Sequence, residues 1–467
     1  MSATSSVGPN PRSVAVVGAG ISGLVTVKAL REERIQVTCF ERSERVGGLW
    51  NYDESSPGGG GPAYRALVTN TSRHKTALSD HSWPAGDGDF PAHDRVLGYV
   101  ASYAERFALR KHIRFATEVT DIRPGPSGWI VGSRGAAGRQ KERYDAVVVC
   151  SGIYGVPFVP AFEGRDGFAG RIEHVMSYTG PESYAGLRVV IVGAGSSAVD
   201  IAVDLSRTAL VTIAVARPAR FVPKWIGGQP YDHRLTRAAR VLPESLRVRV
   251  FARMLANEYA RLGMPRDTAG WPLPVPPLDL GAVRSTPTSD LVPAIADGRI
   301  AYRPGIERLE EGAVVFDDDR RVAADVILCA TGYEMRFPYL PHALAPVHEL
   351  DEIDLYRHVF HPDAASLAFV GMCRVAGPVP PVAEMQARWI ACVFAGRASL
   401  PSSREMNRAI SARRATHAAA GTEYMRVQYL EYLEELGALI GERPRWWRSP
   451  VAHWLAAPTA AQFRSRR

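Results

Sequence analysis

The chain has 467 residues, of which 46% are hydrophobic and 22% charged, enough to build about two to four domains with sizeable cores. This excludes a disordered chain and a small disulfide scaffold. The formal net charge is +8, but only five of the 56 basic residues are lysines (Lys28, Lys75, Lys111, Lys141, Lys224). The arginines are scattered and no recognition motif accompanies them, so no nucleic-acid partner is expected.

Arg12–Gly18 is a short apolar, β-branched run that predicts a strand. It ends in Gly18-Ala19-Gly20-Ile21-Ser22-Gly23, a helical pattern runs from Leu24 to Glu32, and Gln36–Phe40 reads as a second strand ending at Glu41. Strand, glycine turn, helix and strand are the context that a dinucleotide fingerprint requires. Gly18 allows the tight turn, Gly20 lets the backbone approach a pyrophosphate, and Gly23 lets helix and strand pack closely. The diphosphate then meets the helix N-terminus, where free N–H groups favour anions. A carboxylate at Glu41 suits ribose hydroxyls. The Gly-rich Pro57–Pro62 reads as a flexible loop, and Tyr144–Ser151 as an apolar strand running into Gly152.

The same grammar then repeats. Leu187–Val192 predicts a strand, Gly193-Ala194-Gly195-Ser196-Ser197-Ala198 the turn, Val199–Thr208 the helix and Val211–Val215 the next strand. Ala198 is a tolerated third-position variant. No acid follows this second strand; Ala216-Arg217 stands there instead. A carboxylate would repel a 2′-phosphate, whereas the Arg217 guanidinium can bind one bidentately, which favours NADPH over NADH. Pro218–Pro287 looks like an elaboration of this second unit, with a helix over Leu242–Leu262. Asp325–Ala330 is a further apolar strand that runs into Thr331-Gly332. The C-terminal third reads as helical over Ala383–Ala395, over Ser403–Ala418 behind a Ser402/Glu405 capping box, and over Glu423–Ile440. In the last of these, Tyr429, Tyr432, Leu433 and Leu436 form a packing face.

Two dinucleotide sites imply a flavoprotein reduced by a nicotinamide, with the flavin carrying the later chemistry. The five cysteines (Cys39, Cys150, Cys329, Cys373, Cys392) stand far apart without a C-x-x-C, so neither a metal site nor a dithiol centre is expected. Oxygen is then the natural electron acceptor. The odd, sparse cysteine count suits a reducing, cytoplasmic setting. The polar N-terminus has no signal core, and Pro157 and Pro160 interrupt the longest uncharged stretch, so no membrane span is expected.

Several longer motifs resemble the flavin-containing monooxygenase family, class B flavoprotein monooxygenases. Thr38–Trp50 (TCFERSERVGGLW) is similar to its FAD segment. Phe168, Gly170, His174 and Tyr178 match its F-x-G-x-x-x-H-x-x-x-Y pattern, and Leu328–Tyr333 (LCATGY) its A-T-G-Y signature. Thr69–Ser72 (TNTS) with Ser79-Asp80, Leu355-Tyr356 with Val359-Phe360, Glu384–Trp389 (EMQARW) and Gln462–Arg464 extend the match. Related Baeyer–Villiger enzymes end the first pattern in tryptophan, and Tyr178 points away from them.

The resemblance implies an α/β fold of two Rossmann-like, glutathione-reductase-like dinucleotide domains. An FAD domain over residues 1–179 and 332–467, with a helical C-terminal part, is interrupted by an NADPH domain over residues 180–331. It implies that FAD, NADPH and molecular oxygen form a C4a-hydroperoxyflavin, which passes one oxygen to an amine nitrogen or sulfur of a small molecule. It places Gly48, Leu49, Trp50, Thr69, Asn70, Thr71, Thr331 and Gly332 beside the cofactors. By the same resemblance Asn70, which can donate and accept at once, is expected to be the catalytic residue that stabilises the hydroperoxide. Gln386 is expected to hydrogen-bond the flavin ring, while His174 is expected to shape the domain joint rather than act as a base. The chain stops just after the QFR match, without the hydrophobic tail of animal members, so a soluble protein is expected. Oligomeric state stays open, a homodimer included. His74-Lys75-Thr76 and Val375–Pro381 depart from the family pattern, so broad specificity does not carry over and a dedicated biosynthetic N-oxidation is expected at least as much. Baeyer–Villiger oxygenation of a ketone and an NADPH oxidase producing peroxide remain the alternatives.

Overall fold

The computed structural model describes residues 11–53, 61–217, 219–234, 236–263, 285–345, 347–348, 352–442 and 458–463. Most of the Pro57–Pro62 loop, and Arg464 of the QFR match, lie outside the described residues.

The first unit opens with β1 (Ser13–Val17), α1 (Ile21–Glu32) and β2 (Gln36–Phe40). β1 and β2 are parallel, with Val17 opposite Phe40, so both strands end at the same edge of the sheet. A short helix, α2 (Arg73–Thr76), and a longer one, α3 (His93–Arg106), follow. β3 (Ile113–Arg114) then adds beside β2. An antiparallel meander of β4 (Glu118–Pro124), β5 (Trp129–Gly135) and β6 (Gly138–Tyr144) leads into β7 (Ala146–Val149), which returns parallel to β1. The sheet is completed from the far end of the chain: Ala364–Phe369 pairs in parallel with β7, and Phe360–His361 forms the edge. β7 is wholly buried and β1 nearly so, as befits a parallel sheet covered on both faces. One cover is α1, itself packed against the helix Val379–Phe394.

β8 (Val156–Pro157) pairs with Tyr333–Glu334 where the chain crosses between units. The second sheet comprises β9 (Arg171–His174), β10 (Arg188–Val192), then α4 (Ser196–Leu205) and β11 (Leu210–Ala214), with Ile300–Arg303 and Val326–Cys329. All five strands are parallel, and β9 lies at the edge beside Val326–Cys329. The second sheet therefore begins before residue 180. The boundary drawn from the second fingerprint is late, because β9 joins this sheet only through a partner more than 150 residues away. A three-stranded antiparallel sheet (Ile306–Glu310, Ala313–Phe316, Arg321–Ala323) packs Val314 and Phe316 against Val190 and Ile327 of the second sheet.

Among the helices, Glu244–Arg261 lies within the expected stretch, and Ser403–Ala419 begins at the expected capping box. The helix Val379–Phe394 starts ahead of Ala383, since Pro380 and Pro381 sit in its first turn, where no N–H is needed. The final helix starts only at Tyr429, because Arg426–Gln428 is drawn into a parallel ladder with Arg374–Ala376. Tyr429, Tyr432, Leu433 and Leu436 are buried, as a packing face requires. All five cysteines are buried and none is in a disulfide, and burial pushes the Cys150 thiol up to about 12. Among the described residues no helix is long and apolar enough to cross a membrane.

Candidate functional site

At the end of β1 the Gly18 N–H donates to the Phe40 carbonyl at 2.8 Å. Gly18 has φ +98°, and a Cβ there would stand 2.8 Å from the Cys150 carbonyl oxygen. A Cβ on Gly23 would fall 1.8 Å from the Gly18 oxygen, so α1 can start directly over the turn only if that residue is glycine. Gly20 caps α1 without any side-chain hydrogen bond. It faces Gly48, whose own Cβ would lie 2.9 Å from the Gly20 Cα. Two bare glycine backbones thus meet beside the positive end of a helix, a cradle shaped for an anion. Glu41 is buried at its rim. One carboxylate oxygen accepts from the Ala19 N–H at 2.6 Å, and the other from the Ser43 N–H at 2.9 Å and the Ser43 hydroxyl at 2.8 Å.

The second turn repeats this construction. The Gly193 N–H donates to the Ala214 carbonyl at 2.9 Å, and a Cβ on Gly193 (φ +129°) would meet the Ala330 oxygen at 2.6 Å. Gly195 caps α4 without a side-chain bond, and a Cβ there would touch nothing within 4 Å. Ser196 and Ser197 form the first turn and Ala198 is fully buried beneath it. Arg217 is exposed just beyond β11. Thr331 donates its hydroxyl to the Phe158 carbonyl, and the Gly332 carbonyl lies 2.9 Å from His174 Nε2. His174 Nδ1 accepts from the Met176 N–H, and burial lowers the ring's pKa. Both nitrogens are engaged by backbone, which fits the expected joint-shaping role. Tyr178 is buried and donates to Asp204 at 2.7 Å.

Asn70 sits on a loop held from both units. The Thr69 N–H donates to the Pro91 carbonyl, the Tyr231 hydroxyl to the Asn70 carbonyl at 3.2 Å, and the Ser72 N–H to Asp232 at 2.7 Å. Asn51 Oδ1, Thr69 Oγ1, Asn70 Oδ1 and Ser72 Oγ are buried without a protein partner. Buried polar atoms are rarely left so. Together with the two glycine cradles, these orphaned atoms fit bound dinucleotides. Thr71 is half-buried in the same loop, as is Trp50 in the Gly48–Trp50 turn, where Leu49 is exposed.

Gln386 is neither at the surface nor open to a ligand in this structure. It is fully buried; its carbonyl accepts from the Gly371 N–H at 2.8 Å, and its amino group faces the Tyr432 hydroxyl and the Cys373 sulfur. It holds the Gly371 turn, which abuts Ser22 of α1. The departures His74 and Lys75 differ in setting. His74 is exposed against His233, with centroids 5.2 Å apart, while Lys75 is buried over the Tyr429 ring. Burial lowers the Lys75 ammonium to about 8, opposed by the charge of Asp232. Tyr64, Asp200, Tyr231 and Asp232 had no sequence signal, since each works through a partner far along the chain.

The flavin-binding monooxygenase-like family model matches residues 11–451. The chain belongs to this family. Flavin-containing monooxygenase 2 of Homo sapiens is 32% identical over 450 residues, covering 93% of this chain and 83% of that protein. Dimethylaniline monooxygenase (N-oxide-forming) 2 of Rattus norvegicus is 33% identical over the same shares. The solved structure of S-allyl-L-cysteine S-oxygenase from Allium sativum matches with a TM-score of 0.71 at 28% identity, covering 92% of this chain and 88% of that one. This flavin monooxygenase is accordingly an oxidoreductase of two Rossmann-like units that uses FAD and NADPH, with oxygen as co-substrate.

Proposed function

We propose that the chain oxygenates a soft nucleophile, an amine nitrogen or a sulfur, of a small molecule. One oxygen atom of O₂ enters the substrate and the other leaves as water, with NADPH supplying two electrons. The observation that carries this reading is Asn70: its side-chain carbonyl is buried without a protein partner, on a loop tied to residues of both units. FAD, when bound, supplies the activation of oxygen.

The chain's own residues bind, orient and protect. The α1 N-terminus, with Gly18, Ala19, Gly20, Ile21, Ser22 and Gly23, holds the FAD diphosphate, and Glu41 accepts from its ribose. Gly48, Leu49 and Trp50 close over it. The α4 N-terminus, with Gly193, Gly195, Ser196, Ser197 and Ala198, holds the NADPH diphosphate, and Arg217 its 2′-phosphate. Thr331 and Gly332 line the joint, and Thr69 and Thr71 flank the reacting region. The Asn70 amide presents a donor and an acceptor there, and oxygen transfer calls for water to be kept out of that region. No side-chain base is needed to activate a nucleophile that already carries its lone pair.

The test is NADPH oxidation by the FAD-loaded protein with amines, thioethers and ketones, products identified by mass spectrometry. An N-oxide, hydroxylamine or sulfoxide forming in step with NADPH use is the expected result. Esters or lactones from ketones alone would make the enzyme a Baeyer–Villiger oxygenase. Recovery of every NADPH equivalent as peroxide, whatever is added, would make it an oxidase.

A further inference from the structure

Tyr64 precedes Asn70 by less than two turns' worth of chain, in sequence that otherwise builds the first unit. Its ring is nevertheless 2% exposed within the core of the second unit, edge-on to Tyr178 with centroids 6.2 Å apart. Its hydroxyl donates to Asp200 at 3.0 Å and also meets Ser197. Both partners lie on α4, within reach of the second glycine turn. Farther along, Tyr231 and Asp232 of the second unit bond the backbone at Asn70 and Ser72. The segment from Tyr64 to Ser72 is therefore a strap: it belongs to the first unit by sequence and is fastened on the second.

We propose that Tyr64 and Asp200 are positioning residues, whose hydrogen bond seats this strap on α4 so that a nicotinamide dinucleotide at the second glycine turn sets where the Asn70 amide stands. The proposal rests on the roles given above to Asn70 and the α4 turn. A ligand shifts a conformational equilibrium only through contacts that differ between its states. Diphosphate binding restrains the first turn of α4, where Ser197 stands, and Asp200 follows directly in the next. The Tyr64 hydroxyl is the group that carries this restraint into the strap. The ring has a separate task, filling the second unit's core, and Tyr64→Phe removes the hydroxyl while keeping that packing.

The test is hydrogen exchange at the backbone amides of residues 68–73 in FAD-loaded protein, with and without NADP⁺. In the unaltered protein NADP⁺ should slow exchange by about fivefold or more, the lower end of ordinary site-to-site coupling. Asp200→Asn, which keeps an acceptor, should retain the slowing. Tyr64→Phe and Asp200→Ala should each lose most of it at unchanged FAD content, and the double variant should be no worse than either alone. Equal slowing in all of these proteins would overturn the proposal, and so would additive losses in the double variant. Asp200→Ala leaves the Tyr64 ring in place and decides the matter if Tyr64→Phe does not fold. The readout does not depend on oxygen transfer. Failure to find any heteroatom product would sink the proposed reaction while leaving this coupling standing, and the converse holds.

Discussion

Glu41 accepts a hydrogen bond from the amide of Ala19 at 2.6 Å, joining the end of β2 to the first glycine turn. The carboxylate braces the turn, and it is the group proposed above to accept from the ribose. Glu41→Ala leaves the buried Ala19 N–H without its partner, at a cost of about 1–3 kcal/mol. FAD affinity should fall roughly tenfold or more, read by equilibrium dialysis, while the second unit still binds NADP⁺. Unchanged FAD affinity would remove Glu41 from the site.

Asn70→Ala should fold, bind FAD and accept electrons from NADPH at the normal rate. Removing a preorganised donor at a reacting centre typically costs roughly 100-fold in turnover. Substrate oxidation should fall by that order, and hydrogen peroxide should account for the NADPH consumed. Full coupling in this variant, measured as product per NADPH, would end the assignment.

Arg217 is exposed beyond β11, where the first unit has Glu41. Arg217→Ala should raise the KM for NADPH by roughly tenfold or more, the value of a charge-assisted bond, and leave that for NADH nearly unchanged. A parallel rise for both cofactors would show that this guanidinium does not read the 2′-phosphate.

Lys75 gives a pH signature. Burial lowers its ammonium to about 8, below the ordinary 10.5. The unfolded chain therefore holds this proton over a range where the folded protein has released it, so stability from this group rises with pH between about 8 and 10.5. Below about 8 the penalty of the buried charge is present in full. Lys75→Met should flatten the rise, a difference on the order of 3 kcal/mol across the window, read from the melting temperatures of both proteins in stepped buffers. Parallel curves would refute the shift.

Both glycine turns were readable in the sequence because their requirements are local. Gly18 and Gly193 close the same way, each donating to the end of the next strand and each excluding a Cβ by a carbonyl from a third. The Ser402/Glu405 box was legible for the same reason. What failed was non-local. Arg171–His174 gives no hint that Val326–Cys329 will flank it, and Arg426–Gln428 keeps a helical pattern until Arg374–Ala376 claims its backbone. Gln386 shows the limit for a site: its motif was visible, but the buried groups that take up its amide come from Gly371, Cys373 and Tyr432.

The completion of the first sheet by Ala364–Phe369 orders events during synthesis. All strands of the second sheet lie between Arg171 and Cys329, an uninterrupted stretch, whereas β7 has β1 on one side but lacks its second neighbour until residue 369 has left the ribosome. Domains generally fold as units while the chain emerges. The unit that comes second in sequence is thus the first that can be finished. The N-terminal strands must wait with one edge open, so they are where a nascent chain is most exposed to mispairing.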